Sequence, residues 1–106
     1  MMFAPVYTDN TYIAPTNMSG AELLGGGYCT VGKIVIVNMR VKTTAVFASV
    51  QLPIPNLTVN AVGGAIYNTT QNDLEYYYLN ISDGKACFNS IAIGDIFLIS
   101  FTYVMK

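Results

Sequence analysis

The segment from Ile96 to Met105 constrains the fold most, because nearly every residue in it is apolar, β-branched or aromatic. In a β-strand, successive side chains point to opposite faces of the sheet. One face of this strand would carry Phe97, Ile99, Phe101, Tyr103 and Met105, and the other would carry Ile96, Leu98, Ser100, Thr102 and Val104. An edge strand that is apolar on both faces invites aggregation. We therefore predict that this strand lies inside a sandwich or against a neighbouring subunit.

The chain from Lys33 onward continues this β pattern. Val, Ile, Thr, Tyr and Phe are dense, and no helical periodicity persists over three turns. Turn-forming residues divide the pattern, among them the prolines on either side of Ile54 and the Asp83-Gly84 pair. The predicted strands span residues 35–42, 44–52, 57–68 with a kink at 63–64, 74–81, 86–91 and 96–105. The predicted fold class is all-β, an antiparallel β-sandwich.

The first of these strands predicts where subunits meet. Val37, Met39 and Val41 share one face, and Asn38, Arg40 and Lys42 share the other. At the start of the strand, the face that carries Asn38, Arg40 and Lys42 is apolar, because Ile34 and Ile36 lie on it. Together with the second face of the last strand, they form an apolar outward surface. We expect the oligomer interface to include Ile34, Ile36, Ile96, Leu98 and Val104.

The composition also favours a homo-oligomer. Charged residues make up 10% of the 106-residue chain, against roughly 25% in an ordinary domain, so a lone monomer would expose much apolar area. The longest apolar runs, 34–37 and 96–99, are far shorter than the roughly 20 residues of a membrane-spanning helix. We expect no export signal at the N-terminus, which lacks a basic start. With a net charge of −1 and no Lys/Arg cluster, nucleic acid is not an expected partner.

Residues 1–31 differ from the rest in their Pro, Asn and Gly content, including Gly25-Gly26-Gly27. This composition is typical of turns and connectors. We interpret 1–31 as an N-terminal arm or neck and 32–106 as the β-sandwich head. Within the arm, residues 11–14 could form a short strand and residues 18–24 one or two helical turns.

The sequence contains no histidine, which removes the commonest general base and every Ser-His or Cys-His nucleophile pair. Cys29 and Cys87 lie far apart and cannot complete a zinc site. We interpret them as free buried thiols, with a disulfide as the alternative. No metal and no cofactor are predicted, and the chain is not expected to be an enzyme. Asp73 and Glu75, roughly 7 Å apart on one strand face, leave a small glycan hydrolase as a minor alternative.

Tyrosines supply the most suggestive binding feature, since each offers an apolar ring and a hydroxyl at low entropic cost. Tyr67 lies near the tyrosine run 76–78, and alternation places Tyr77 on the face opposite to its two neighbours. Core or interface packing is the alternative interpretation of these rings. The predicted ligand-binding set is Tyr67, Asn72, Asp73, Glu75 and Tyr77.

Three short motifs carry a resemblance to a known family: the segment 31–38, the Leu52-Pro53 step, and the segment 100–103. Residues 32–106 resemble the distal head domain of tail-fibre and baseplate receptor-binding proteins from phages of Gram-positive bacteria. The resemblance implies a jelly-roll β-sandwich, a homotrimer at the virion's tail tip, and binding to a host cell-surface saccharide. It also implies folding in the bacterial cytoplasm, where thiols stay reduced. The alternative function is a purely structural module that trimerises or caps a fibre or virion.

Overall fold

The computed structural model describes residues 12–56, 63–75, 77–79, 83–89 and 92–106. These residues form strands, turns and bends. The prediction of an all-β fold is therefore confirmed. The described part of the chain contains no helix that could cross a membrane.

The strands form two antiparallel sheets. In chain order they are β1 (Met18–Ser19), β2 (Ala21–Val31), β3 (Ile34–Thr43), β4 (Phe47–Gln51), β5 (Gly63–Asn68), β6 (Asp73–Glu75), β7 (Tyr77–Leu79), β8 (Lys85–Asn89) and β9 (Ile96–Val104). One sheet has the order β1-β4-β8-β7, and the other has the order β2-β3-β9-β5-β6. Buried side chains from both sheets form a single core, so the predicted antiparallel sandwich is also confirmed.

The core lies between the inner faces of the two sheets and follows the predicted alternation. On β3, Val35, Val37, Met39 and Val41 are buried, and on β9 the buried side chains are Phe97, Ile99, Phe101 and Tyr103. The four-stranded sheet contributes Ala48, Val50, Ala86 and Phe88. The rings of Phe88 and Phe97 meet across the sandwich with their centroids 5.1 Å apart, a favourable tilted aromatic geometry. Burial of these apolar side chains is the main stabilising contribution.

A buried polar cluster closes one end of the sandwich. The Asn68 amide donates a 2.8 Å hydrogen bond from Nδ2 to Oδ2 of Asp95, and both residues are buried. The same amide accepts 3.0 Å bonds through Oδ1 from the backbone N–H groups of Thr70 and Gln71. Thr43 donates its backbone N–H to the Asp95 carbonyl at 2.9 Å. The cluster thus joins the ends of β3 and β5 to the loop before β9.

A partly buried hydrogen bond ties β9 to the loop after β4. The Tyr103 hydroxyl donates to the backbone carbonyl of Pro53 at 2.7 Å. Burial raises the pKa of the Tyr103 phenol, and the nearby Tyr28 adds to the rise. The phenol is protonated at neutral pH, and the raised pKa keeps it a hydrogen-bond donor into more alkaline solution.

The structure corrects the helical turn expected within the N-terminal arm. Residues 18–24 form no helical turn, because Met18–Ser19 and Ala21–Val31 are strands β1 and β2. β2 pairs with β3 along its length, so the predicted boundary after residue 31 falls inside a β-hairpin. Glycine and turn-type composition misled the prediction, because pairing to a strong neighbouring strand overrides weak local propensity. Of the short strand expected at 11–14, the described part contains one bridge, between Ile13 and Tyr28.

The predicted strand 74–81 is also corrected. Its described residues belong to two strands in different sheets, β6 in the five-stranded sheet and β7 in the four-stranded sheet. High β-propensity continues through this tyrosine-rich stretch, and propensity carries no information about which sheet a residue joins. The hairpin predicted at Asp83-Gly84 is confirmed, since β7 and β8 pair antiparallel on either side of it. Residues 1–11, 57–62, 76, 80–82 and 90–91, on which parts of the predicted arm and strands fall, lie outside the described residues.

We expect Asn68→Ala to lower the free energy of unfolding by about 1–3 kcal/mol or more, because the substitution removes the amide that donates a hydrogen bond to the buried Asp95 carboxylate. Urea denaturation followed by circular dichroism measures the change. Asn89→Ala, at an exposed position on β8, is the control and should stay within about 0.5 kcal/mol of wild type. Equal stability of the two variants would contradict the role given to the cluster.

Candidate functional site

A groove of about 450 Å³ lies on the five-stranded sheet. Strands β2, β3 and β9 line it with Gly25, Gly26, Asn38, Met39, Arg40, Leu98, Ile99 and Ser100. Met39 and Ile99 are buried core residues, whereas Asn38, Arg40, Leu98 and Ser100 are exposed. The groove therefore opens on the outer face of the sheet, on the side away from the core. We call it the outer-face groove.

Strand register places the exposed side chains of the groove in two adjacent rows. Asn38 on β3 lies directly opposite Ser100 on β9, and Arg40 lies opposite Leu98. Directly opposed residues share a face, with Cβ atoms about 4.5–5.5 Å apart. The surface of the outer-face groove is mainly apolar, and Asn38, Arg40 and Ser100 are the polar residues that line it.

Glycines on β2 create the space between these side chains and the edge of the sheet. Gly25 lies opposite Arg40, and Gly27 lies opposite Asn38. Beside Gly25 the space is open, whereas beside Gly27 the backbone of Ile13 fills it. A β-bulge between Leu23 and Gly25 shifts the register just before this point. Glycine inside a strand often marks a bulge or a close approach by a ligand or another backbone.

Tyr12 reaches the same face from beyond the edge of β2. The neighbouring Ile13 pairs with Tyr28 on β2 through two backbone hydrogen bonds of 2.7 and 2.9 Å. The hydroxyl of Tyr12 accepts a 3.1 Å bond from Nδ2 of Asn38. Tyr12 is 38% exposed, so its phenol lies beside the outer-face groove with much of its surface open to solvent.

The row through Arg40 and Leu98 continues across the sheet. Tyr67 on β5 lies opposite Leu98, and Leu74 on β6 lies opposite Tyr67. Leu74 is 65% exposed. The Tyr67 hydroxyl donates a hydrogen bond to Oδ1 of Asn72, which orients the phenol at this end of the row. With neighbouring strands about 4.8 Å apart, the row from β6 to β2 is about 19 Å long.

The structure brings together only part of the predicted ligand-binding set. Tyr67 and Asn72 are in contact, and Asp73 follows at the start of β6, where its side chain is exposed. Glu75 is at the end of β6, opposite Ile66. Tyr77 is on β7 in the other sheet, opposite Phe88. Tyr67 and Tyr77 therefore belong to strands of different sheets.

The predicted interface residues all lie on the outer face of β3 and β9. Ile34 is opposite Val104, Ile36 is opposite Thr102, Leu98 is opposite Arg40, and Ile96 is opposite Lys42. The sheet thus separates them into two groups. Val31, Ile34 and Val104 form one cross-strand row, with exposures of 62%, 44% and 41%. We call this row the apolar end patch. Val104 is the fourth residue after Ser100 in the groove, about 13 Å along the strand.

Charge on this face is concentrated on β3. Arg40 and Lys42 project on the outer side, and Glu22 on β2 lies opposite Lys42. Among the residues that line the outer-face groove, none is acidic. Within the described residues, no group of three or more His, Cys, Asp or Glu side chains could hold a metal ion. Cys29 and Cys87 are both buried and free, on β2 and β8, as expected for unpaired thiols.

Sequence reasoning missed Tyr12, Gly25 and Arg40 as site residues. Alternation along the strand correctly predicts that Arg40 is exposed, but no local sequence pattern connects Arg40 to Gly25. The composition of the glycine run is typical of turns. Its position directly before a run of β-forming residues is the signal that could have indicated a strand. Tyr12 carried no signal, because its role depends on a bridge across the edge of β2.

Comparison with protein-family models, with curated proteins and with solved structures finds no match to this chain. The assignment of a functional site therefore depends on geometry and side-chain chemistry.

Two neighbouring glycines should respond differently to substitution. A Cβ at Gly25 would meet no atom within 4 Å, whereas at Gly26, with φ +77°, it would lie 2.2 Å from the Asn38 carbonyl oxygen. We expect Gly25→Leu to fold with a free energy of unfolding within about 1 kcal/mol of wild type. Gly26→Leu should lose about 1–3 kcal/mol or more through backbone strain. Thermal and urea unfolding measure both, and an equal loss in the two variants would contradict the described backbone.

Proposed function

We propose that this chain is a homo-oligomeric adhesive domain that binds a saccharide in the outer-face groove. The observation that carries the proposal is a group of polar side chains beside the glycine stretch of β2, which has no side chains of its own. Asn38, Arg40 and Ser100 offer hydrogen-bonding groups beside Gly25. A binding site on a rigid sheet is held in position without a large ordering cost on binding.

The lining matches the surface of a sugar. Sugar rings present hydroxyl groups at their edges and C–H groups on their faces, so a complementary site needs both polar and apolar contacts. Leu98 and the glycine backbone supply apolar surface in the outer-face groove. Tyr12 and Tyr67 flank it with aromatic rings that also carry hydroxyls. The row from β6 to β2 is long enough to contact several sugar units.

Binding fits this site better than catalysis does. The chain has no histidine, and no acid lines the outer-face groove. Glycoside hydrolysis requires two carboxyl groups on either side of the scissile bond. The described carboxylate of Asp73 is at the far end of the sheet from Gly25, on the edge strand β6. We therefore place adhesion ahead of hydrolysis.

Self-association completes the proposal. Exposed apolar rows of this kind mark protein–protein contacts, and the apolar end patch lies beside the half-buried Ile36 on the same face. We assign the contact between subunits to this patch. Ile96 and Leu98, also predicted for the interface, lie toward the other end of the same strands, where Leu98 lines the outer-face groove. The finer expectations belong here as well: jelly-roll connectivity, a homotrimer, and a position at the tail tip of a phage virion. They rest on the three sequence motifs given above.

A purely structural module is the second candidate, and the apolar end patch is the observation that favours it. Apolar side chains on three adjacent strands are sufficient for a capping or trimerising contact without any ligand. The two candidates differ in what the outer-face groove does. An adhesive domain needs it open, and a structural module does not.

Ile34→Lys tests the subunit contact. A charge in the centre of the apolar end patch should convert the oligomer to a monomer, because burying an unpaired ammonium is costly. Light scattering coupled to gel filtration gives the mass. The control is Thr30→Lys, an exposed residue whose side chain points to the other side of β2 from Val31, and it should leave the oligomer intact. A wild-type monomer, or an unchanged mass for Ile34→Lys, would contradict the assigned contact.

Gly25→Leu tests the binding site. The new side chain fills the outer-face groove with no backbone clash, so binding to a glycan array should fall by roughly tenfold or more while the fold and the oligomer persist. Ser19→Leu, which adds similar bulk to an exposed residue of the four-stranded sheet, is the matched control. Glycan binding that survives in Gly25→Leu would place the site elsewhere, and the absence of any wild-type glycan binding would favour the structural module.

A further inference from the structure

We infer that the ligand of the outer-face groove is a saccharide that carries a carboxylate group, and that the Arg40 guanidinium binds this group. The inference rests on the proposed function and adds the charge and chemical class of the ligand. Three observations carry it: the position of Arg40, the lack of a side-chain partner for it among the described residues, and the pairing of the backbone around it.

Arg40 is a cation in the wall of a groove that contains no acid. It lies opposite Leu98 on one side and Gly25 on the other. Neither neighbour can accept a hydrogen bond from its side chain. Within the described part of the chain, no side chain forms an ion pair or a hydrogen bond with the Arg40 guanidinium. Its donors are therefore available to an anion that enters the groove.

Lys42 does not have the same surroundings, although it follows on the same face of β3. Glu22 lies directly opposite Lys42, so an acid already stands beside this ammonium. Lys42 also does not line the outer-face groove. Among the described residues that line the outer-face groove, Arg40 is thus the one cation, and Asn38 and Ser100 line the groove with it. One positive charge matches one carboxylate.

The backbone around Arg40 favours a carboxylate over a phosphate. Phosphate sites commonly use several free backbone N–H groups, at a helix N-terminus or in a nest. Here β3 is paired with β2 on one side and with β9 on the other, so its N–H groups are used within the sheet. Side chains must supply the donors. The planar fork of a guanidinium binds the two oxygens of a carboxylate in a bidentate manner.

The flanking groups favour a sugar acid over a small free anion. Asn38 presents its amide to the groove and is held by the Tyr12 hydroxyl at 3.1 Å, and Tyr67 continues the row beyond Leu98. A carboxylate alone would contact Arg40 and leave these groups unused. A carboxylated sugar would place its acid on Arg40 and its hydroxyls on Asn38 and Ser100.

The experiment uses the full chain on an array of uronate- and sialate-bearing glycans, each printed beside its carboxyl-reduced neutral form and alongside phosphate-bearing glycans. Calorimetry then gives the Kd of the tightest glycan for wild type, Arg40→Gln and Lys42→Gln. Both substituted residues are exposed, so both variants should fold, which thermal unfolding checks. Gly25→Leu, which fills the groove, shows whether the glycan binds there.

We expect carboxyl reduction to abolish binding, Arg40→Gln to weaken it by roughly tenfold or more, and Lys42→Gln to change it by less than about twofold. Binding should also weaken as salt is raised. Equal binding of neutral and carboxylated glycans, or binding of phosphate-bearing glycans alone, would overturn the inference and leave the proposed function in place. An array on which wild type binds nothing would overturn both.

Discussion

The antiparallel ladder between β3 and β9 is the interaction on which the rest of the structure depends. It runs from the pair Ile34–Val104 to the pair Lys42–Ile96, and each of the two strands has a further neighbour on its other side. This register sends Val35 to Val41 and Phe97 to Tyr103 into one core at alternate positions. A slip of one residue would turn every one of these side chains to the opposite face. The core therefore fixes the register, and the register fixes the outer face.

The candidate site depends on glycine, which has no side chain, as much as on the side chains around it. The ladder places Asn38, Arg40, Leu98 and Ser100 together on the outer face. The same face of β2 would normally cover their flank, but Gly25 leaves it open. The buried cluster of Asn68 with Asp95 holds the ends of β5 and β9 at the far side. Rigid strands thus position the side chains, and glycine supplies the space.

Apolar and polar side chains divide the outer face of this sheet along the strands. The apolar end patch lies where β2 turns into β3, and the outer-face groove lies nearer the middle of the strands. A separation of about 13 Å allows subunit contact and ligand binding on one face without competition.

The sequence alone determined the β fold, the buried and exposed sides of β3 and β9, and the outward position of Ile34, Arg40 and Leu98. It could do so because side-chain alternation has a period of two and is local. Only the tertiary structure decided that residues 21–31 are a strand, that Tyr67 and Tyr77 lie in different sheets, and that Arg40 faces Gly25. Each of these depends on pairing between strands distant in sequence. Local propensity contains no information about which strand becomes the neighbour.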